Sequence, residues 1–169
     1  MIQRTSQSAI LNRHPAEPLN QWSNTMSSNT QAVNLLQSIP QVFESLTQVH
    51  VVLDQQDLNP ALKHLIHLRA SQINQCGFCV KMHTREARET NETNERLDRL
   101  IVWRHVSDFS PSERAALAWT EALTVLDAKT DYASLRGELR AHFSDGQIGA
   151  LTAEIGMINL WNRLQVSRH

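Results

Sequence analysis

Three helix-start signals, each set ahead of apolar residues spaced three and four apart, constrain this chain more than any other feature. Asn59-Pro60 places a capping side chain before a proline. Proline suits the first helical position because it has no N–H to leave unpaired there. Ser110-Pro111-Ser112-Glu113 adds a glutamate three residues after the serine, the pattern of a capping box, and Ser144-Asp145-Gly146-Gln147 offers a weaker one. Apolar stripes follow each start: Leu62, Leu65, Ile66 and Ile73; then Ala116, Leu117, Leu123 and Leu126; then the run IGALTAEIGMINLWNRL. QVFESLTQVHVVL after Pro40 carries Val42, Phe43, Leu46, Val49 and Leu53 at the same period. TNETNER opens a short helix with Leu97, Leu100 and Ile101, and YASLRGELRAHF reads as helical around Gly137. Only five glycines occur, and few segments alternate as strands do. The expected fold is all-α: one helical bundle of six or seven helices, spanning residues 28–169.

Residues 1–27 read differently. They are rich in Gln, Asn and Ser, with Pro15 and Pro18 breaking any helix. They read as an N-terminal arm, ordered against a partner subunit, since Ile10 and Trp22 are poor choices for free solvent. No apolar stretch there resembles a secretory leader, and no run approaches a membrane span. A formal charge of -1 gives no electrostatic reason to expect nucleic acid or an anionic membrane as partner. A cytoplasmic, reducing location is the expectation.

The two cysteines, Cys76 and Cys79, stand together in SQINQCGFCVKMH, four residues before His83. A disulfide between them would close too short a loop to constrain the unfolded chain much, so redox or metal chemistry comes to mind before a structural staple. On a helix the three residues fall at i, i+3 and i+7, on one stripe. Cys79 and His83 are then one turn apart, close enough for the imidazole to take the thiol proton. A break at Gly77 would put Cys79 near a helix start, where the dipole favours a thiolate. Cys76 is spaced to attack an oxidised Cys79. Two other readings fit the same spacing. The cysteines can be small buried hydrophobes, with His83 bonded to Glu86 or Glu44. Alternatively, His64 and His67 can complete a zinc site with Cys76, Cys79 and His83, although a zinc knuckle usually wraps a turn around its metal.

The stretch LIHLRASQINQCGFCVKMHTREAR resembles the core of the alkylhydroperoxidase D-type (AhpD-like) family, within the carboxymuconolactone decarboxylase superfamily. Leu65, Leu68, Arg69, Ser71, Asn74, Cys76, Cys79 and His83 match its pattern. The likeness continues around Trp103, Arg104, Glu113 and Glu121, and around Asn159, Trp161 and Asn162. It implies an all-α fold assembled as a homo-oligomer, trimer or hexamer. It also implies a thiol peroxidase acting on a small organic or hydrogen peroxide. In it Cys79 would be the attacking thiolate, Cys76 the resolving thiol, and His83 part of the proton relay. A dithiol reductant would restore the thiols, and no cofactor or metal is implied.

One position departs from that pattern: His64 stands where the family has a glutamate. A neutral imidazole there would not raise the basicity of His83 as a carboxylate does, although it can accept a proton near neutral pH. His64 is therefore expected to face the site as an altered relay. His67 reads as peripheral, Arg69 as a structural residue bonding a buried carboxylate or a helix end, and Trp103, Trp119 and Trp161 as core or subunit interface. REARETNETNER reads as a solvated helix and turn. Two rival functions remain: a cofactor-free lyase or decarboxylase using His64 and His83 as acid and base, and a redox sensor or scaffold with no catalysis.

Overall fold

Each helix-start signal opens a helix. In the computed structural model, which describes residues 30–169, the order is α1 (Leu35–Ser38), α2 (Pro40–Leu53), α3 (Pro60–Ile73), α4 (Gly77–Glu89) and α5 (Asn94–Arg99). A 3-10 turn (Leu100–His105) follows, then α6 (Pro111–Val125), α7 (Tyr132–Arg140) and α8 (Asp145–Val166). The N-terminal arm proposed from sequence lies outside the described residues. Asn59 Oδ1 accepts from the Ala61 N–H, and the boxes at Ser110 and Ser144 both close reciprocally with Glu113 and Gln147. Each cap satisfies backbone donors that a helix start leaves without partners.

α3 is the central rod, packed against α4, α6 and α8. Its two faces feed two cores. Leu62 and Ile66 join Trp119, Leu139, Leu151 and Ile155 between α3, α6, α7 and α8. Leu65 and Leu68 join Ala87, Leu97, Leu100, Trp103 and Leu117 on the other side. A helix buried on both faces needs apolar residues nearly all round, so its single apolar stripe understated how deep it lies. Arg69 and Arg104 both bind Glu121, which also accepts from the Trp103 indole at 2.8 Å. This closes the carboxylate partnership expected of Arg69.

The all-α class holds, and residues 32–169 form one unit. The described residues contain eight α-helices rather than six or seven, because the four-residue α1 precedes the helices expected from the sequence. The stripe on α2 is only partly buried: Val42 and Val49 are 48% and 40% exposed, Phe43 and Leu46 are half-buried, and Leu53 alone is buried. Ile101 and Leu126 also face outward. Leu126 caps α6 in the left-handed conformation, which turns its side chain off the apolar stripe. None of the helices among the described residues is long and apolar enough to cross a membrane.

Candidate functional site

The site is built where α3 stops. Asn74 caps that helix, and Gln75 follows with φ 56°, a left-handed conformation that costs a non-glycine residue about 1 kcal/mol. This residue makes the break expected at Gly77, which itself has ordinary φ and opens α4. The Asn74 amide explains how the turn is held. It donates to both Asn159 and Asn162 Oδ1 on α8 at 2.9 Å, while the Asn162 amide donates to Ser71 Oγ. Four polar side chains thereby tie the cysteine turn to the longest helix.

Cys76 is the N-cap of α4 rather than a member of its first turn, and the Cys79 N–H points at its sulfur, 3.4 Å away. The two are joined as a disulfide, S–S 2.07 Å and Cα–Cα 5.3 Å. Cys79 is the third residue of α4, within the turn where unpaired N–H groups and the helix dipole favour negative charge. Both sulfurs are buried, but only Cys79 lines the cavity described below.

His83 lies one turn beyond Cys79 and is 5% exposed. Its Nδ1 is 2.8 Å from Glu86 Oε2, while Nε2 has no hydrogen-bond partner. With Nδ1–H donating to the carboxylate, Nε2 keeps its lone pair. Burial drives the His83 pKa down to about 4; repulsion from His67 adds to this and Glu86 opposes it. The ring is therefore neutral at pH 7 in the oxidised protein. His64 faces the site as expected, with its Nδ1 buried and 3.9 Å from the same Glu86 oxygen. Burial lowers its pKa too, against the pull of Glu86.

Behind these residues sits a second charged group. Glu154 of α8 is fully buried, with Oε2 3.0 Å from His67 Nε2 and Oε1 2.8 Å from Lys63 Nζ. Burial pushes its carboxyl pKa up, but hydrogen bonds from His67 and Lys63 outweigh that and hold it at about 2. The His67 and His83 rings lie 5.1 Å apart, so His67 belongs to the site and is not peripheral. Trp161 also moves from the expected core to the cavity wall, where its indole N–H donates to His50 Nε2 and its ring meets Phe43 of α2. Among the described residues, no group of three or more His, Cys, Asp or Glu side chains is arranged to hold a metal ion.

These side chains surround a cavity of about 660 Å³, within the range that binds small organic molecules. His64, Cys79 and His83 meet there, with Cys76 directly behind its partner. Glu86, His67, Lys63 and Glu154 complete the arrangement. Two of them carried readable signals: Glu86 is three residues after His83, and Glu154 is the one carboxylate inside the apolar run of α8. Lys63 and His67 carried none, since only the approach of α8 gives them a partner.

Residues 40–122 match the carboxymuconolactone decarboxylase family. The uncharacterized protein YdfG of Bacillus subtilis is 32% identical over 82% of this chain and 94% of its own length. The chain belongs to this family. Within it, the likeness is to the AhpD-like proteins. A protein of unknown function from Agrobacterium tumefaciens, with the candidate name antioxidant defence protein AhpD, superposes with a TM-score of 0.77. It shares 35% identity and covers 82% of this chain and 94% of its own. The debrominase Bmp8 shares the fold at 19% identity and TM-score 0.70, covering 79% of this chain and 72% of its own. A cysteine-to-alanine form of it is seen with 2,3,4-tribromopyrrole.

Proposed function

We propose that this AhpD-like protein is a thiol-dependent peroxidase, with Cys79 as the attacking thiolate and Cys76 as the resolving thiol. The observation that carries the reading is the cavity itself: it is lined by Cys79 and not by Cys76, together with His83 and its partner Glu86. The Agrobacterium protein's name points the same way.

In the reduced enzyme His83 Nε2 takes the Cys79 proton, and Glu86 steadies the imidazolium through Nδ1–H. The thiolate then raises the His83 pKa by opposite-charge attraction, as the imidazolium lowers that of the thiol. Glu86 thus fills the office that His64 leaves open at the family's glutamate position, from one turn further along the helix that carries His83. The thiolate attacks the distal peroxide oxygen and the O–O bond breaks. The leaving alkoxide takes the proton from His83, giving an alcohol and a sulfenic acid on Cys79. Cys76 attacks that sulfur, water leaves, and the disulfide closes. An external dithiol reduces the disulfide and is itself oxidised. His64 tunes Glu86 from 3.9 Å rather than acting as the primary base.

Assembly fits the same reading. Val42, Val49, Val51 and Val52 of α2 are all at least 40% exposed, which supports a homo-oligomer in which α2 is covered.

Turnover of cumene hydroperoxide with dithiothreitol as reductant tests the proposal. Catalysis should vanish in Cys79→Ser and fall roughly 10²-fold in His83→Gln, while in Cys76→Ser no intramolecular disulfide should form and turnover should run only as fast as dithiothreitol itself attacks the Cys79 sulfenic acid. Full activity in Cys79→Ser would refute the proposal.

A further inference from the structure

The cavity is far larger than hydrogen peroxide needs, and its charges are unevenly matched. Its apolar lining is supplied by Leu58, Phe78, Met82, Ile158 and Trp161. Lys63 is the one permanently charged cation lining it among the described residues. Its ammonium is already held by two carboxylates, Asp54 at 2.5 Å and Glu154 at 2.8 Å. Glu86 adds a third negative charge on the same side as His64 and His83. A carboxylate entering here would lose its hydration and find no uncommitted cation to replace it. An uncharged hydroperoxide faces no such loss. His64 Nδ1 and His83 Nε2 are buried without partners in the protein, and both residues line the cavity. They offer hydrogen-bonding atoms for the two peroxide oxygens, while the aromatic and aliphatic lining takes the organic body.

We infer that the site selects uncharged organic hydroperoxides with an aryl or branched-alkyl body, and rejects those bearing a carboxylate. This rests on the peroxidase reading and names its substrate class. Burial lowers the pKa values of His50, His64 and His83 in the oxidised protein, and in the reduced enzyme the His83 imidazolium is already matched by the Cys79 thiolate and Glu86, so none of the three is an uncommitted cation for an entering carboxylate.

Two pairs of probes on the full chain separate the questions. Cumene hydroperoxide and its para-carboxylate differ by one charge, and their rates of disulfide formation in the reduced protein report selectivity in turnover. The corresponding alcohols, titrated into the oxidised protein by Trp fluorescence, report selectivity in binding without any chemistry. Hydrogen peroxide serves as the reference for the thiol cycle itself. The carboxylate should react and bind at least about tenfold less well than its neutral partner. Asp54→Asn, at a side chain 67% exposed, should narrow that gap by freeing part of the Lys63 charge. Equal rates and affinities, or a preference for the carboxylate, would overturn the inference while leaving a peroxide-driven thiol cycle intact. Failure of the neutral alcohol to bind would overturn it as well. Selective binding of the neutral alcohol, with no hydroperoxide oxidising the thiols, would keep the binding class and sink the peroxidase reading.

Discussion

Acidification from pH 7 to pH 5 should cost the folded protein about 2 kcal/mol through His83 alone. Burial holds this imidazole at about 4 in the folded chain, against 6.5 for an exposed histidine. Between those values the unfolded chain binds a proton that the folded chain refuses. The stabilisation is therefore complete above pH 6.5 and is lost as the pH falls toward 4. From 6.5 to 5 is a span of about 1.5 pH units at 1.36 kcal/mol each, which gives the figure above. His50 and His64 are lowered in the same direction and add to the slope. The carboxyls of Glu113, Glu121 and Glu154 are all lowered in the folded chain and take the ordinary value near 4.5 only when it unfolds, so they titrate mostly below this window. Urea unfolding of the oxidised full chain at pH 7, 6 and 5, beside His83→Gln, isolates the contribution. The native chain should lose about 2 kcal/mol more than the variant over the range. Parallel losses would mean that His83 keeps a solvent-like pKa, and the buried, neutral imidazole described here would be wrong.

Other consequences follow from the same geometry. Glu86→Gln removes the charge that steadies the His83 imidazolium and should slow peroxide-driven thiol oxidation roughly tenfold or more, as read by stopped-flow fluorescence. His64→Glu sets a second carboxylate beside Glu86, where the two disfavour each other's charge; it should leave that rate within about threefold. Gln75→Gly relieves the left-handed backbone at φ 56° and should raise stability by about 1 kcal/mol in urea unfolding. Asn74→Ala leaves the buried Asn162 Oδ1 on α8 without its donor, and leaves Asn159 Oδ1 only the 3.3 Å bond from Arg163; it should cost about 2 kcal/mol by the same measurement.

The parts of the fold that were legible in the sequence are those decided locally. A serine that caps the third N–H, and a glutamate that returns the bond, need no tertiary partner, so the starts of α6 and α8 were readable to the residue. The same holds for Cys76, Cys79 and His83, whose spacing on one helix brings them to one place. What was not legible depends on which helix arrives opposite. The stripe on α2 is a genuine helix signal, yet its valines remain exposed because α2 packs only sparsely, against α1 and α8. His67 resembled any helix-surface histidine until Glu154 met it from 87 positions away. Gly77 was the natural place for a break, but the positive φ falls on Gln75, paired with a cap at Asn74 that α8 holds in place. The glutamate missing at position 64 was visible as an absence. Its replacement by Glu86 became a physical statement only when the 2.8 Å contact to His83 was seen.

The central claim is that Cys79 and Cys76 form a peroxide-driven couple. Its most direct test is intact mass spectrometry of the reduced full chain after a brief, near-stoichiometric dose of cumene hydroperoxide and an alkylating quench. The account predicts that both alkylation sites disappear together in the native chain as the disulfide closes. In Cys76→Ser, Cys79 should instead be trapped as a sulfenic acid. In Cys79→Ser, Cys76 should remain a free, alkylatable thiol. Persistence of both thiols in the native chain, under a dose that oxidises an ordinary peroxidase, would contradict it.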